Sequence, residues 1–211
     1  MDEPTRVFAL RHGQTAWNAS RRIQGHVDEP LDDTGRWQAQ RLAQALAGEG
    51  IVAIYSSDLR RAHDTALALA AATRLPVVTR TDLRERAFGR FEGATPAEIE
   101  QRWPEDALRW RRREAAYAPG GGESLADLYT RSVSAATALA ARHRGQAIAL
   151  VAHGGVLDCL YRAAVGVPLG APRSWQMDNA SINRLLYVGG GFTLVGWNDA
   201  THLGMAGGGS K

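Results

Sequence analysis

The stretch VFALRHGQTAWN, Val7 to Asn18, ends an apolar run on Arg11 and His12, with a glycine next. A second stretch, IALVAHGG, ends in the same way on His153, followed by Gly154 and Gly155. Glycine after each histidine lets a backbone segment or a ligand come close. A third stretch, SSDLRRAHDTA, sets Arg60 and Arg61 on the first turn of a helix, whose N-terminus already favours an anion. Around that turn one arginine can face a site while the other faces solvent. A fourth, LRERAFGRFEG, contributes Glu85 in a segment punctuated by Gly89 and Gly93. Guanidinium forks grip a tetrahedral oxyanion with several donors at once, so a histidine among arginines is a candidate nucleophile toward phosphorus. No metal is implied, because the histidines lie far apart and no HxxxH, CxxC or Asp-rich spacing accompanies them.

These side chains must be delivered by an alternation of strands and helices. Arg6 to Leu10 reads as a strand, with Thr34 capping a helix that runs to about Ala47. Ile51 opens the next strand, a helix follows from about Leu59 to Ala72, and a short strand lies near Pro76 to Thr79. Such alternation predicts an α/β fold, a three-layer α/β/α sandwich with a mostly parallel sheet. Ligands then bind at the carboxyl edge of the strands, where both histidines fall. Residues 92–122 read as a helical lid insertion, two short helices broken before Pro104 and then the loop APGGGES. Ser124 and Asp127 resemble a capping box opening an alanine-rich helix. SINRLLYV and FTLVGW read as a hairpin that adds an antiparallel edge to the sheet. One domain over 1–200 is expected, with 201–211 a disordered tail.

The chain has 211 residues, 45% hydrophobic and 22% charged, ordinary values for a globular protein. No apolar run approaches the roughly 20 residues that span a bilayer, and the first residues lack the basic start and apolar stretch of a secretory signal. A cytoplasmic location is the expectation. The formal charge of +3 invites a nucleic-acid reading, but the densest basic cluster, RWRRRE at Arg109 to Glu114, has no aromatic platform and reads as a solvated helix face. No nucleic acid and no membrane are expected as partners. Cys159, the single cysteine, sits in an apolar helical pattern and reads as a small buried hydrophobe. His63, His143 and His202 read as surface residues, while His26, which follows Gln24 and Gly25, is expected either to approach a ligand or to be a surface residue like them.

Taken together, LRHGQT with Asn18, QGHVDEPLDDTGRWQA, SSDLRRAHDTA, LRERAFGRFEG, GGES and VAHGG resemble the histidine phosphatase superfamily, the phosphoglycerate-mutase-like fold, in its branch of small phosphatases. The resemblance runs from about Arg6 to Trp197. It implies that His12 is the nucleophile and forms a phosphohistidine, that Arg11, Arg61 and His153 hold the phosphoryl oxygens, and that Glu85 is the proton donor. It also implies that Asn18, Gln24 and Gly25 line the phosphate pocket, with Gln14, Thr15 and Gly154 as further phosphate or substrate contacts, while Gly13 makes room for the phosphate. The expected activity is metal-independent, cofactor-free hydrolysis of a small-molecule phosphate ester by a monomer or homodimer. The alternatives are a phosphoglycerate mutase and a non-catalytic relative that binds phosphorylated ligands. The IQGH segment at Ile23 to His26, in place of the TGW type of the mutases, favours the phosphatase. Because Glu85 must carry a proton in the first step, the rate is expected to peak on the acidic side of neutral.

Overall fold

The computed structural model describes residues 3–206. In chain order the elements are β1 (Thr5–Arg11), α1 (Ala16–Ala19), α2 (Asp33–Leu46), β2 (Ile51–Ser57), α3 (Arg60–Thr73) and β3 (Val77–Arg80). Then come α4 (Pro96–Arg102), α5 (Pro104–Arg111), α6 (Leu125–Ala140), β4 (Ala147–Ala152), α7 (Gly154–Val165), β5 (Ile182–Val188) and β6 (Gly191–Asp199). The strands form one sheet in the order β3-β2-β4-β1-β5-β6. Four run parallel; β5 pairs antiparallel with β1 and β6 antiparallel with β5, so the antiparallel edge is the full hairpin.

Alternation along the central strands divides the core into two layers. Val7 and Ala9 of β1, with Ile148, Leu150 and Ala152 of β4, pack toward α6 and α7. Phe8 and Leu10, with Ala147, Ala149 and Val151, pack toward Leu42 and Leu46 of α2 and Ala62, Ala66 and Leu69 of α3. Both faces of the sheet are thus covered, as parallel strands require. A third, smaller cluster, Phe91, Ala94, Ile99, Ala107 and Tyr117, gives α4 and α5 their own packing.

Local chemistry sets the ends of these elements. Thr95 caps α4 in a complete capping box with Glu98, Pro96 follows it, and Ser124 accepts from the Asp127 amide at the start of α6. For α2 the cap is Asp32 rather than Thr34: its carboxylate accepts from the Gly35 amide at 2.7 Å. The helix begins two residues earlier than the sequence suggests because a carboxylate is the stronger acceptor at an exposed N-terminus. Thr201–Ala206 forms a 3₁₀ helix, with Leu203 packed against the α2 and α3 layer, where a disordered tail was expected from residue 201. Residues 207–211 of that expected tail lie outside the described residues. Among the described residues no helix is long and apolar enough to cross a membrane.

Candidate active site

The carboxyl ends of β1, β2 and β4 meet at one rim of the sheet. In the β1–β4 pairing Arg11 stands opposite Ala152, so the next residue on each strand, His12 and His153, emerges at the same level. Their rings lie 5.1 Å apart, centroid to centroid. His12 is 3% exposed and its Nδ1 lies 2.7 Å from the Gly13 carbonyl oxygen. A carbonyl only accepts, so Nδ1 carries the proton and Nε2 keeps its lone pair. The backbone of His12 is fixed as well: its amide donates to Ala152 and its carbonyl accepts from the Ala180 amide and from Asn179 Nδ2.

Burial, then the Arg61 and Arg11 guanidiniums, holds His12 well below the ordinary value of 6.5. His153 is held well below it too, by burial and then by Arg61, His12 and Arg11. Both rings are therefore neutral near pH 7. His153 is the N-cap residue of α7 and is wholly buried, and neither ring nitrogen has a hydrogen-bond partner among the described residues. Its ring lies against that of His12, and it is not among the residues that line the cleft.

A cleft of about 690 Å³ opens over this rim, lined among others by Arg11, His12, Asn18, Gln24, Gly25, Arg61, Glu85, Gly154 and Gly155. Arg11 donates through Nη1 to the Met177 carbonyl, leaving its Nε buried and unpartnered. Arg61 donates to the Gly25 and Val27 carbonyls at 2.8 and 2.9 Å, and its Nε is likewise unpartnered. Burial presses both guanidiniums below their ordinary value. Arg60, by contrast, faces solvent and reaches Asp64, so the helix turn separates the two arginines as its geometry requires.

Asn18 Oδ1 accepts from the Thr15 amide, the Thr15 hydroxyl and Asn179, which leaves the Nδ2 amide for the cleft. The Gln24 side chain ends in the cleft with its Oε1 buried and unpartnered. The Glu85 carboxylate is held by the amide of Gly155, at 3.1 and 3.0 Å from its two oxygens, and by the amide of Arg86 at 2.8 Å. The Gly155 amide belongs to the first turn of α7, where the helix end stabilises negative charge.

Three expected contacts fall elsewhere. Gln14 is not in the cleft wall: its side chain donates to Asp32 and its amide to Gln38 Oε1, tying the loop after β1 to α2. Thr15, fully buried, is the N-cap of α1 and fixes Asn18. Gly13 makes room for protein rather than for phosphate, because a Cβ there would stand 2.4 Å from the Gly35 carbonyl oxygen. His26 braces the loop, its Nε2 donating to the Glu85 carbonyl at 2.8 Å and its amide to Glu92 at 3.0 Å. His202 is half-buried rather than a surface residue, and its carbonyl accepts from Arg41. Cys159 is buried as expected, and burial pushes its thiol up.

The outer cleft holds what sequence reasoning missed. Arg111 and Arg113, from the cluster read as a solvated helix face, line it together with Arg21, Arg22, Arg86, Arg173 and Asp158, while Phe88 and Trp110, aromatics that the sequence offers either as lid core or as an apolar wall, reach it too. Arg113 turns inward because the chain leaves α5 there with a φ of 52°, a break that helical periodicity does not foresee. It pairs with Asp158 at 2.6 Å. Asp158 also holds Arg162 at 3.0 Å, an i,i+4 pair that was visible as spacing but lay in a stretch read as apolar.

The family model of the histidine phosphatase superfamily (branch 1) matches residues 7–200. Phosphoglycerate mutase-like protein 4 of Arabidopsis thaliana is 41% identical over 201 residues, 93% of this chain and 86% of that one. The metal-independent phosphoserine phosphatase of the same plant is 36% identical over 208 residues, 97% of this chain and 86% of that one. The solved structure of mycobacterial glucosyl-3-phosphoglycerate phosphatase complexed with VO3 aligns with a TM-score of 0.84 and 38% identity, over 92% of this chain and 99% of that one. With the sheet, the cleft and these likenesses in agreement, the chain belongs to the histidine phosphatase superfamily, branch 1.

Proposed function

We propose that this phosphoric monoester hydrolase works through a phosphohistidine on His12, without a metal, on a small phosphorylated metabolite. The observation that carries the reading is the Nδ1–H···O=C bond to Gly13, which leaves Nε2 unprotonated and restrained beside two arginines. In the first step Nε2 attacks phosphorus while the ester oxygen departs with a proton from Glu85. The unpartnered Nε groups of Arg11 and Arg61 and the amide of Asn18 are the donors for the equatorial oxygens, as electrostatic stabilisation of phosphoryl transfer requires. His153, with both ring nitrogens unpartnered and its ring against that of His12, is the group we assign to an oxygen of the phosphoryl group once it is carried on Nε2. In the second step the Glu85 carboxylate takes a proton from water as its oxygen bonds to phosphorus, the N–P bond breaks and inorganic phosphate leaves.

The relatives named as phosphoserine and glucosyl-3-phosphoglycerate phosphatases support hydrolysis of a small metabolite. We assign residues 92–122 to a lid over the cleft, on the cleft-facing positions of Trp110, Arg111 and Arg113. A cytoplasmic monomer or homodimer is the setting we assign, supported by a single buried cysteine that has no disulfide role. The test is release of phosphate from p-nitrophenyl phosphate by the wild type and by His12→Ala, with and without chelator. Turnover that survives in the variant, or that chelator removes, overturns the mechanism. Interconversion of 2- and 3-phosphoglycerate without phosphate release overturns hydrolysis in favour of a mutase.

A further inference from the structure

The main chain that carries His12 is pinned from two sides. Its carbonyl accepts from the Ala180 amide at 3.1 Å and from Asn179 Nδ2 at 3.0 Å, so both lone pairs are used. Across the same peptide, the Gly13 amide donates to Thr65 Oγ1 at 3.0 Å, and that hydroxyl donates to the Arg61 carbonyl at 2.8 Å. Arg11 adds its amide to the Ser181 carbonyl at 3.3 Å and its Nη1 to the Met177 carbonyl. Residues 177–181 are therefore the seat on which the end of β1 rests.

Asn179 does more than fill a place in that seat. Its Nδ2 carries two hydrogens, and it donates to Asn18 Oδ1 at 3.2 Å as well as to the His12 carbonyl. Both neighbours are acceptors, so only the NH2 end of the Asn179 amide can face them. Asn18 Oδ1 is identified as the oxygen by the Thr15 amide, which can only donate, at 3.1 Å. Asn179 thus ties the main chain of the nucleophile to a donor that lines the cleft, while it is half-buried and not itself among the lining residues. The chain makes this reach possible by a turn. Ala180, buried, takes a φ of 56°, the Ser181 amide donates to the Asp178 carbonyl at 3.1 Å, and the Asp178 amide donates to Asn198 Oδ1 at 2.6 Å.

We propose that Asn179 is a positioning residue, which holds the Asn18 amide at a fixed place relative to the His12 ring so that a phosphoryl oxygen meets it as Nε2 attacks. The inference rests on the hydrolase reading above and adds to it a residue that acts on the reaction through Asn18 without touching substrate. In Asn179→Ala the Ala180 amide still holds the His12 carbonyl, so what is lost is the tie to Asn18. Asn179→Ser, with one hydroxyl hydrogen for two acceptors, is the milder form of the same change.

The experiment is a double-mutant cycle. The kcat/KM for p-nitrophenyl phosphate and the inhibition constant of inorganic phosphate are measured in the wild type, Asn179→Ala, Asn18→Ala and the double variant, and again with Asn179→Ser in place of Asn179→Ala. Asn179→Ala is expected to lower kcat/KM by about tenfold, part of the hundredfold or so that an ångström's misplacement costs, and to weaken phosphate inhibition with it. Asn179→Ser loses less. In the Asn18→Ala background either substitution changes kcat/KM by less than about twofold, because the group it positions is gone. Both variants keep the Ala180 and Thr65 contacts of the His12–Gly13 peptide and are expected to fold. A merely structural role gives the same loss in both backgrounds, and that additivity overturns the inference, as does a loss below about twofold in Asn179→Ala alone. Either result leaves the hydrolase reading standing. No phosphate release by the wild type overturns both.

Discussion

The amide of Gly155 donates to both carboxylate oxygens of Glu85, at 3.1 and 3.0 Å, and so couples the candidate proton donor to the first turn of α7. The contact exists because residue 155 has no side chain: a Cβ would lie 2.2 Å from Glu85 Oε1 and 3.1 Å from Leu128. Gly155→Ala is expected to displace Glu85 and lower kcat by about a hundredfold, the scale of an ångström's misplacement of a reacting group. Steady-state kinetics check this, and an unchanged kcat shows that the contact does not matter to catalysis.

Glu85→Gln removes the proton but keeps the shape. With an alkyl phosphate, whose leaving oxygen needs protonation, kcat is expected to fall by about 10² to 10⁴. With p-nitrophenyl phosphate, whose leaving group departs as an anion, the loss is much smaller. The wild-type rate on alkyl esters is expected to peak on the acidic side of neutral. Equal losses on both substrates, or a flat profile, remove Glu85 from the role of acid.

Burial keeps His12 and His153 neutral in the folded protein, well below 6.5, while in the unfolded chain they titrate at their ordinary value. Between those two values the unfolded chain binds more protons, so folding stability rises with pH. Their contribution is complete above about pH 6.5 and is lost as pH falls toward the folded values. The thermal midpoint is expected to drop from neutral to mildly acidic pH, and His153→Gln should flatten that slope. Parallel slopes in the two proteins contradict the assignment. The same depression keeps Nε2 of His12 available at mildly acidic pH, which is what an acid optimum needs.

Asp158→Ala leaves the inaccessible guanidinium of Arg162, which donates to the Pro168 and Ala171 carbonyls, without its carboxylate. Removing one partner of a buried pair is expected to cost about 3–5 kcal/mol, read from urea unfolding. A loss below about 1 kcal/mol, the range of a surface pair, means that the network does not anchor the 168–171 segment.

Legibility in the sequence followed the range over which a residue's neighbours act. Arg11, His12 and His153 were readable because an apolar run that ends on a polar group marks the edge of a sheet, and a parallel sheet puts such edges together. Arg61 was separable from Arg60 by the family motif, and the helix turn agrees. The same local reading misled at Gln14 and Thr15, which adjoin the histidine in sequence yet face α2 and α1. Arg113 and Arg173 gave no signal. One is turned inward by a left-handed backbone residue and the other is presented by a loop whose anchors, Asp158 and Arg162, lie on a different element. Contacts of that kind depend on tertiary placement, which no periodicity encodes.

The two histidines owe their closeness to the pairing of β1 with β4, Arg11 opposite Ala152, and to nothing in the loops beyond. Slipping those strands by one position would turn Leu10 and Val151 toward the wrong layer, so the hydrophobic core itself polices the alignment of the chemistry. The histidine pair and the outer wall of the cleft are then separate inheritances: chain can be inserted, shortened or recharged between 92 and 122, and the pair at the sheet edge need not move.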